Sequence, residues 1–218
     1  MRTPVAVAAL AALLAACEPT AGAPAAPPAP APAPADGAGG SAGWREIASS
    51  DDASRLGRLD QAWRMGRAEA DREFAAEVEA LGPLVDPNAG QAGRLQPPPG
   101  NYRCRSVQLG ANRPGGRGYL EHPYARCTIE LTPGGDLILT RTAGSQRARG
   151  LLYPDTDRRL VFLGVQARGS EEAGYPAYGE RPERDEIGVF ERIGSNRWRL
   201  ALPWPRQDSK LEILELTG

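Results

Sequence analysis

Apolar residues recur every three or four positions from Leu56 to Leu81, through Leu59, Trp63, Gly66, Ala70, Phe74 and Val78. That spacing lines one face of a helix. Arg55, Arg58, Arg64, Arg67, Glu69, Asp71, Arg72, Glu73 and Glu79 take the remaining surface. Ser49-Ser50-Asp51-Asp52 supplies side-chain acceptors and negative charge for the first turn, and Gly82-Pro83 ends the helix. Gly57 and Gly66 each cost about 1 kcal/mol against alanine, so the helix needs a surface to pack on. After a Pro/Gly-rich connector at 86–100 the period changes to two.

Eight short strands are predicted: Asn101–Leu109, Arg126–Leu131, Leu137–Thr142, Gln146–Tyr153, Arg159–Val165, Glu186–Ile193, Arg197–Trp204 and Lys210–Leu216. Pro133-Gly134-Gly135, Pro154-Asp155-Thr156-Asp157, Gly194-Ser195-Asn196 and Pro205-Arg206-Gln207-Asp208 carry turn chemistry between them. Alternation sets Trp198, Leu200 and Leu202 against Arg197 and Arg199. The chain therefore reads as mainly β with an N-terminal helix, an α+β chain. Its sheet forms an eight-stranded antiparallel up-and-down, calycin-like barrel or a two-sheet sandwich. A barrel of eight strands encloses room for side chains or one small ligand.

The N-terminus follows a different logic. Arg2, an apolar run from Val5 to Ala16 and the box Leu14-Ala15-Ala16-Cys17 resemble a bacterial lipoprotein signal. The run is too short for a bilayer span, which needs about 20 residues, and fits a cleaved leader. It implies a mature chain beginning at a lipidated Cys17 on the periplasmic side of a membrane. Glu18 follows the cysteine; by the sorting habit of enterobacterial lipoproteins, the absence of aspartate there favours the outer over the inner membrane. Residues 17–43 are rich in Ala, Pro and Gly, which favours an extended tether reaching on the order of 70 Å. The organisation is thus a leader at 1–16, a tether at 17–43, a helical segment and connector at 44–99, and the barrel at 100–218.

Formal net charge is −1, which gives no global nucleic-acid signal. The stretch 101–160 holds 10 basic and 5 acidic residues, flanked by acidic segments with which its arginines can pair. With Cys17 lipidated, Cys104 and Cys127 remain, and an even pair in an oxidising compartment reads as a disulfide. One histidine, His122, and no CxxC spacing disfavour a metal site. No cofactor is expected.

Gly100-Asn101-Tyr102-Arg103-Cys104-Arg105 opens a set of motifs. It continues through Gly144-Ser145-Gln146-Arg147, Gly150-Leu151-Leu152-Tyr153-Pro154 and Arg159-Leu160-Val161-Phe162-Leu163-Gly164. Tyr178-Gly179, Arg184-Asp185, Gly188-Val189-Phe190-Glu191-Arg192 and Arg197-Trp198-Arg199-Leu200 complete it. Together they resemble the bacterial family called domain of unknown function 4893, from about Trp44 to the C-terminus. The resemblance implies no activity. A small anchored barrel with one early disulfide is also similar in architecture to calycin-like inhibitors of bacterial metalloproteases, an analogy of fold alone.

The loop from Gly169 to Pro182, with Tyr175 and Tyr178, is the longest irregular stretch among the strands, and long loops are where binding concentrates. The candidate binding residues are Ser145, Gln146, Arg147, Tyr178, Arg184 and Asp185. The cluster Glu183–Glu186 reads as a solvated loop, because adjacent strand residues face opposite ways and do not converge. Gly144-Ser145-Gln146 lacks the second glycine of a nucleophile elbow, so no catalytic residue is assigned. The sequence predicts a non-enzymatic binding module anchored in the cell envelope, its partner an envelope protein or a small amphipathic molecule. An inhibitor of a secreted or periplasmic protease is the alternative. A hydrolase using Ser145 and His122 is the second.

Overall fold

Strand β1 (Gly100–Ala111) is bonded along one edge to β9 (Ser209–Thr217), the last strand of the chain. This pairing decides between barrel and sandwich. From β1 the sheet runs in sequence order through β3 (Ala125–Leu131), β4 (Leu137–Arg141), β5 (Gln146–Pro154), β6 (Leu160–Arg168), β7 (Asp185–Gly194) and β8 (Arg197–Pro203) back to β9. Every neighbour is antiparallel, and the eight strands close into an up-and-down barrel. The computed structural model describes residues 43–144, 146–169, 172, 174–206 and 209–218. The leader, Cys17, the tether to residue 42 and Ser145 lie outside them.

All eight predicted strands are present, within three residues at either end. One more, β2 (Tyr119–Glu121), lies in the Gly/Pro-containing stretch between the first two predicted strands. It pairs with the C-terminal half of β1 while β3 pairs with the N-terminal half. The single helix predicted from Leu56 to Leu81 is instead two: α2 (Ser50–Gly57) and α3 (Leu59–Ala80), after a short α1 (Trp44–Ile47). Arg58 leaves helical geometry between them, immediately after Gly57, a residue suited to a helix end. Ser49 caps α2, its hydroxyl accepting the Asp52 amide at 3.1 Å.

The lumen is filled at the end where β1 begins. Phe162, Phe190, Leu139, Leu200 and Leu216 are buried there with the Cys104–Cys127 disulfide. Gly150 and Gly164 face one another across β5 and β6, and a Cβ on either would lie within 2.6 Å of the Phe162 ring. The ring thus occupies the space those side chains would need. Trp198 packs edge-on to Tyr102, and both bond the connector, through Leu95 O and Pro98 O. The disulfide joins β1 to β3, and closing a loop of this length stabilises by about 3 kcal/mol in the chain-entropy model.

Helix α3 covers the outer wall. Ala62, Trp63, Ala70 and Val78 pack on Val107, Leu109, Leu211 and Ile213. Gly66 is where helix and strand come closest: a Cβ there would sit 3.0 Å from the Leu109 carbonyl oxygen. Close approach, not helix propensity, explains this glycine. Gly57 has open space around it. Gly66→Val is therefore expected to destabilise by about 1–3 kcal/mol through overpacking. Gly57→Ala is expected to stabilise by about 0.5–1 kcal/mol. Urea unfolding of the two variants checks the opposite signs.

Candidate functional site

The connections β1–β2, β4–β5, β6–β7 and β8–β9 all fall at the far end of the barrel from the filled lumen. The described parts of the 110–124 connection, of the turn between β4 and β5 and of the long loop expected at 169–182 therefore share one rim. Residues 174–182 of the β6–β7 connection fold back over the outer wall as a strap, and several of the candidate binding residues fasten it. Arg147 donates to Glu172 O at 2.6 Å, and Arg184 pairs with the Glu172 carboxylate. The Asp185 carboxylate accepts the Gly179 amide at 3.1 Å, and the Tyr175 hydroxyl donates to Arg141 O at 2.9 Å. Tyr178 donates to Asp52 and accepts the Ser49 amide at 3.1 Å, tying the strap to α2. Gln146, half-buried, opens β5 opposite Arg168. Arg147, Tyr178, Arg184 and Asp185 are brought together around the strap, which their hydrogen bonds and ion pair hold in place, and Tyr178 also lines the groove beneath it. His122 follows β2, its amide donating to Ser106 O. Ser145 lies outside the described residues.

Two sequence expectations are corrected here. Arg55, read as helix surface, is buried, and so are Asp185 and Glu186, read as part of a solvated loop. The two carboxylates do diverge, as adjacent strand residues must. Asp185 turns to the strap and Glu186 to the mouth of the lumen, where Arg55 reaches over the rim. The Arg55 guanidinium donates to Asp52 at 2.5 Å, Glu186 at 3.3 Å, Asp185 O at 2.8 Å and Trp204 O at 3.1 Å. A buried charge persists only when paired and hydrogen-bonded, and these partners supply that. Burial pushes the Glu186 carboxyl up to about 7, although Arg55 and the Arg206 amide oppose it. Burial also acts upward on Asp52, but hydrogen bonds from Tyr178 and Arg55 outweigh it and hold that carboxyl below its usual value.

Further round the lumen mouth, Ser106 bridges two buried charged groups. Its hydroxyl donates to Glu212 at 2.6 Å and accepts from Arg141 at 2.8 Å. Arg141 Nε and Glu212 Oε2 have no hydrogen-bond partner among the described residues. Among those residues no group of three or more His, Cys, Asp or Glu side chains could hold a metal ion.

Beneath the strap lies an apolar groove of about 270 Å³. Its floor is the outward face of β4–β6, with Ile138, Leu151, Tyr153, Leu163 and Val165, and Ile47 of α1 closes one side. Tyr175, Pro176, Ala177 and Tyr178 of the strap form the roof. Arg149 alone among the lining residues is charged. It touches Thr140 at 3.5 Å and the exposed Glu130 carboxylate at 3.7 Å. Apart from the two tyrosines, sequence reasoning passed these residues over. The signal was available in Leu160-Val161-Phe162-Leu163 and Leu137-Ile138-Leu139, which are apolar at both parities. A strand apolar on both faces is covered on both.

Because Glu186 holds its proton more tightly when folded, stability is expected to fall as pH rises from about 4.5 to about 7. The loss is on the order of 2–3 kcal/mol for one carboxyl displaced this far. Asp52 acts in the opposite sense, its contribution being lost as pH falls below about 4. Glu186→Gln is expected to flatten the fall between pH 4.5 and 7 in urea titrations. An unchanged slope would place its origin elsewhere.

No curated protein and no solved structure matches the chain. A family model does match, over residues 44–216, which takes in the three helices, the connector and nearly all of the barrel. By that match the chain belongs to the family described as domain of unknown function DUF4893.

Proposed function

We propose that the chain is an envelope lipoprotein anchored through Cys17, and that its barrel is a non-enzymatic binding module whose contact site is the groove under the strap. The lipoprotein box Leu14-Ala15-Ala16-Cys17 and the Pro-rich stretch that follows support the anchor. The observation that carries the binding reading is the contrast between lumen and wall. Phe162 and its neighbours fill the apolar half of the lumen, whereas the wall keeps an open apolar recess. Open apolar recesses with few polar groups are the ordinary form of a ligand site. A protease-inhibitor reading is less well supported, because it calls for a free, flexible N-terminal trunk, whereas the sequence there reads as a proline-rich tether followed by a helical segment, of which residues 44–80 are packed on the barrel.

Mass spectrometry of the chain extracted gently from its own membrane tests both halves. The expected mature species lacks residues 1–16, carries acyl mass on Cys17 and retains a small-mass adduct under native conditions. Cys17→Ser should move the chain out of the membrane fraction. Ala177→Phe, which fills the groove from the strap, should remove the adduct without releasing the chain. An intact Met1 with no acyl mass would refute the anchor, and an adduct indifferent to Ala177→Phe would refute the groove.

A further inference from the structure

The chemistry of the groove limits what it can hold. Strands β4, β5 and β6 are each bonded on both edges, so the floor presents no row of free backbone groups to an extended peptide. In the roof, Pro176 has no N–H, and the Ala177 amide is taken by Glu180 at 2.9 Å. An occupant polar along its length would leave its own amides or hydroxyls unpaired against Ile138, Leu151, Leu163 and Val165. A hydrocarbon chain has no such groups. At about 270 Å³ the recess is smaller than the roughly 300–1,000 Å³ of typical small-molecule pockets, so it takes a short chain or the end of a long one.

One lining residue of the groove is charged. Arg149 lies on its wall, and among the described residues it makes a long contact to Thr140, a loose pair with an exposed glutamate and a distant stacking contact with the Tyr175 ring, 5.9 Å to its centre. Exposed pairs of that kind contribute little, so the guanidinium is available to a better partner. A single guanidinium offers two parallel N–H donors, which match a carboxylate or one face of a phosphate. Arg149 balances the whole charge of a carboxylate but little more than half that of a phosphate, and no second cation lines the groove among the described residues.

We propose that the groove takes the chain of a fatty carboxylate, its head group bound by Arg149. The inference rests on the groove being the binding site, as proposed above, and adds the class of ligand. Titration calorimetry of the full chain with decanoate, decanol, decyl phosphate and acetate, below micelle-forming concentrations, tests it. Decanoate should bind one to one, with decanol and decyl phosphate about tenfold weaker and acetate undetected. Arg149→Gln should bring decanoate down to the level of decanol and leave decanol unchanged. Ala177→Phe should abolish binding of both, with an unchanged unfolding midpoint. Equal binding of decanoate and decanol, or indifference to Arg149→Gln, would overturn the carboxylate while leaving the groove as a site for apolar chains. Tighter binding of decyl phosphate would overturn it in favour of a phosphorylated head. Failure of decanoate and decanol alike to bind the unaltered chain would overturn the groove reading itself.

Discussion

Arg199 sits on the outer face of β8 with no part of its side chain exposed, and all three of its guanidinium nitrogens are bonded. Two of them hold the Glu191 carboxylate, at 2.7 and 2.9 Å. The terminal nitrogens also gather the carbonyls of Pro83, Leu84, Asp86 and Pro87, and the group lies 5.0 Å from the centre of the Trp63 ring. These carbonyls belong to the 3-10 turn Gly82–Leu84 that follows α3 and to the start of the connector after it. A lysine has neither the number nor the fixed directions of donors to replace this fork. The helical cover depends on it. With the turn after α3 pinned to β8, the helix lies along the wall over β1 and β9, and the connector runs on to close the lumen with Leu95. Without the guanidinium, Glu191 and four carbonyls would face a buried void, a larger penalty than the pair itself is worth.

Much of this architecture was legible because it is local. Period-two stretches and turn chemistry mark each strand, and these depend on residues close together in sequence. What was not legible depends on residues far apart. Whether the sheet closes rests on pairing β1 with β9, which no local pattern encodes. Arg55 and Glu186 look like ordinary surface charges, yet they meet 131 positions apart and are buried by the meeting. Arg199 was placed on the correct face of its strand, but its burial comes from a connector more than 110 residues earlier. The strand β2 is three residues long in a Gly/Pro-rich stretch, and its pairing with β1 sustains it rather than its own propensity.

The rim gathers two kinds of side chain with separate duties. Arg147, Tyr178, Arg184 and Asp185 were picked out as polar residues in a turn, a long loop and a charged cluster, and they hold the long loop down. Apart from Tyr175 and Tyr178, the recess they create is lined by residues that a reading for chemistry passes over. Polar residues in a loop can serve the loop's own order as readily as a ligand, because every backbone group it buries needs a partner. Here the strap's order comes from that accounting, and the binding surface is what the ordered strap leaves open beneath it.

The β1–β9 ladder also has a kinetic meaning. Its register joins Arg103 to Thr217 and Leu109 to Leu211, so the ring is completed only when the last strand arrives. Contacts between sequence-distant residues must overcome loop-closure entropy before they repay it, which slows assembly. Until then β1 and β9 each present an unpaired edge, the most association-prone state of a sheet. The Cys104–Cys127 link shortens part of that search by fixing β1 against β3, but it cannot hasten the final strand.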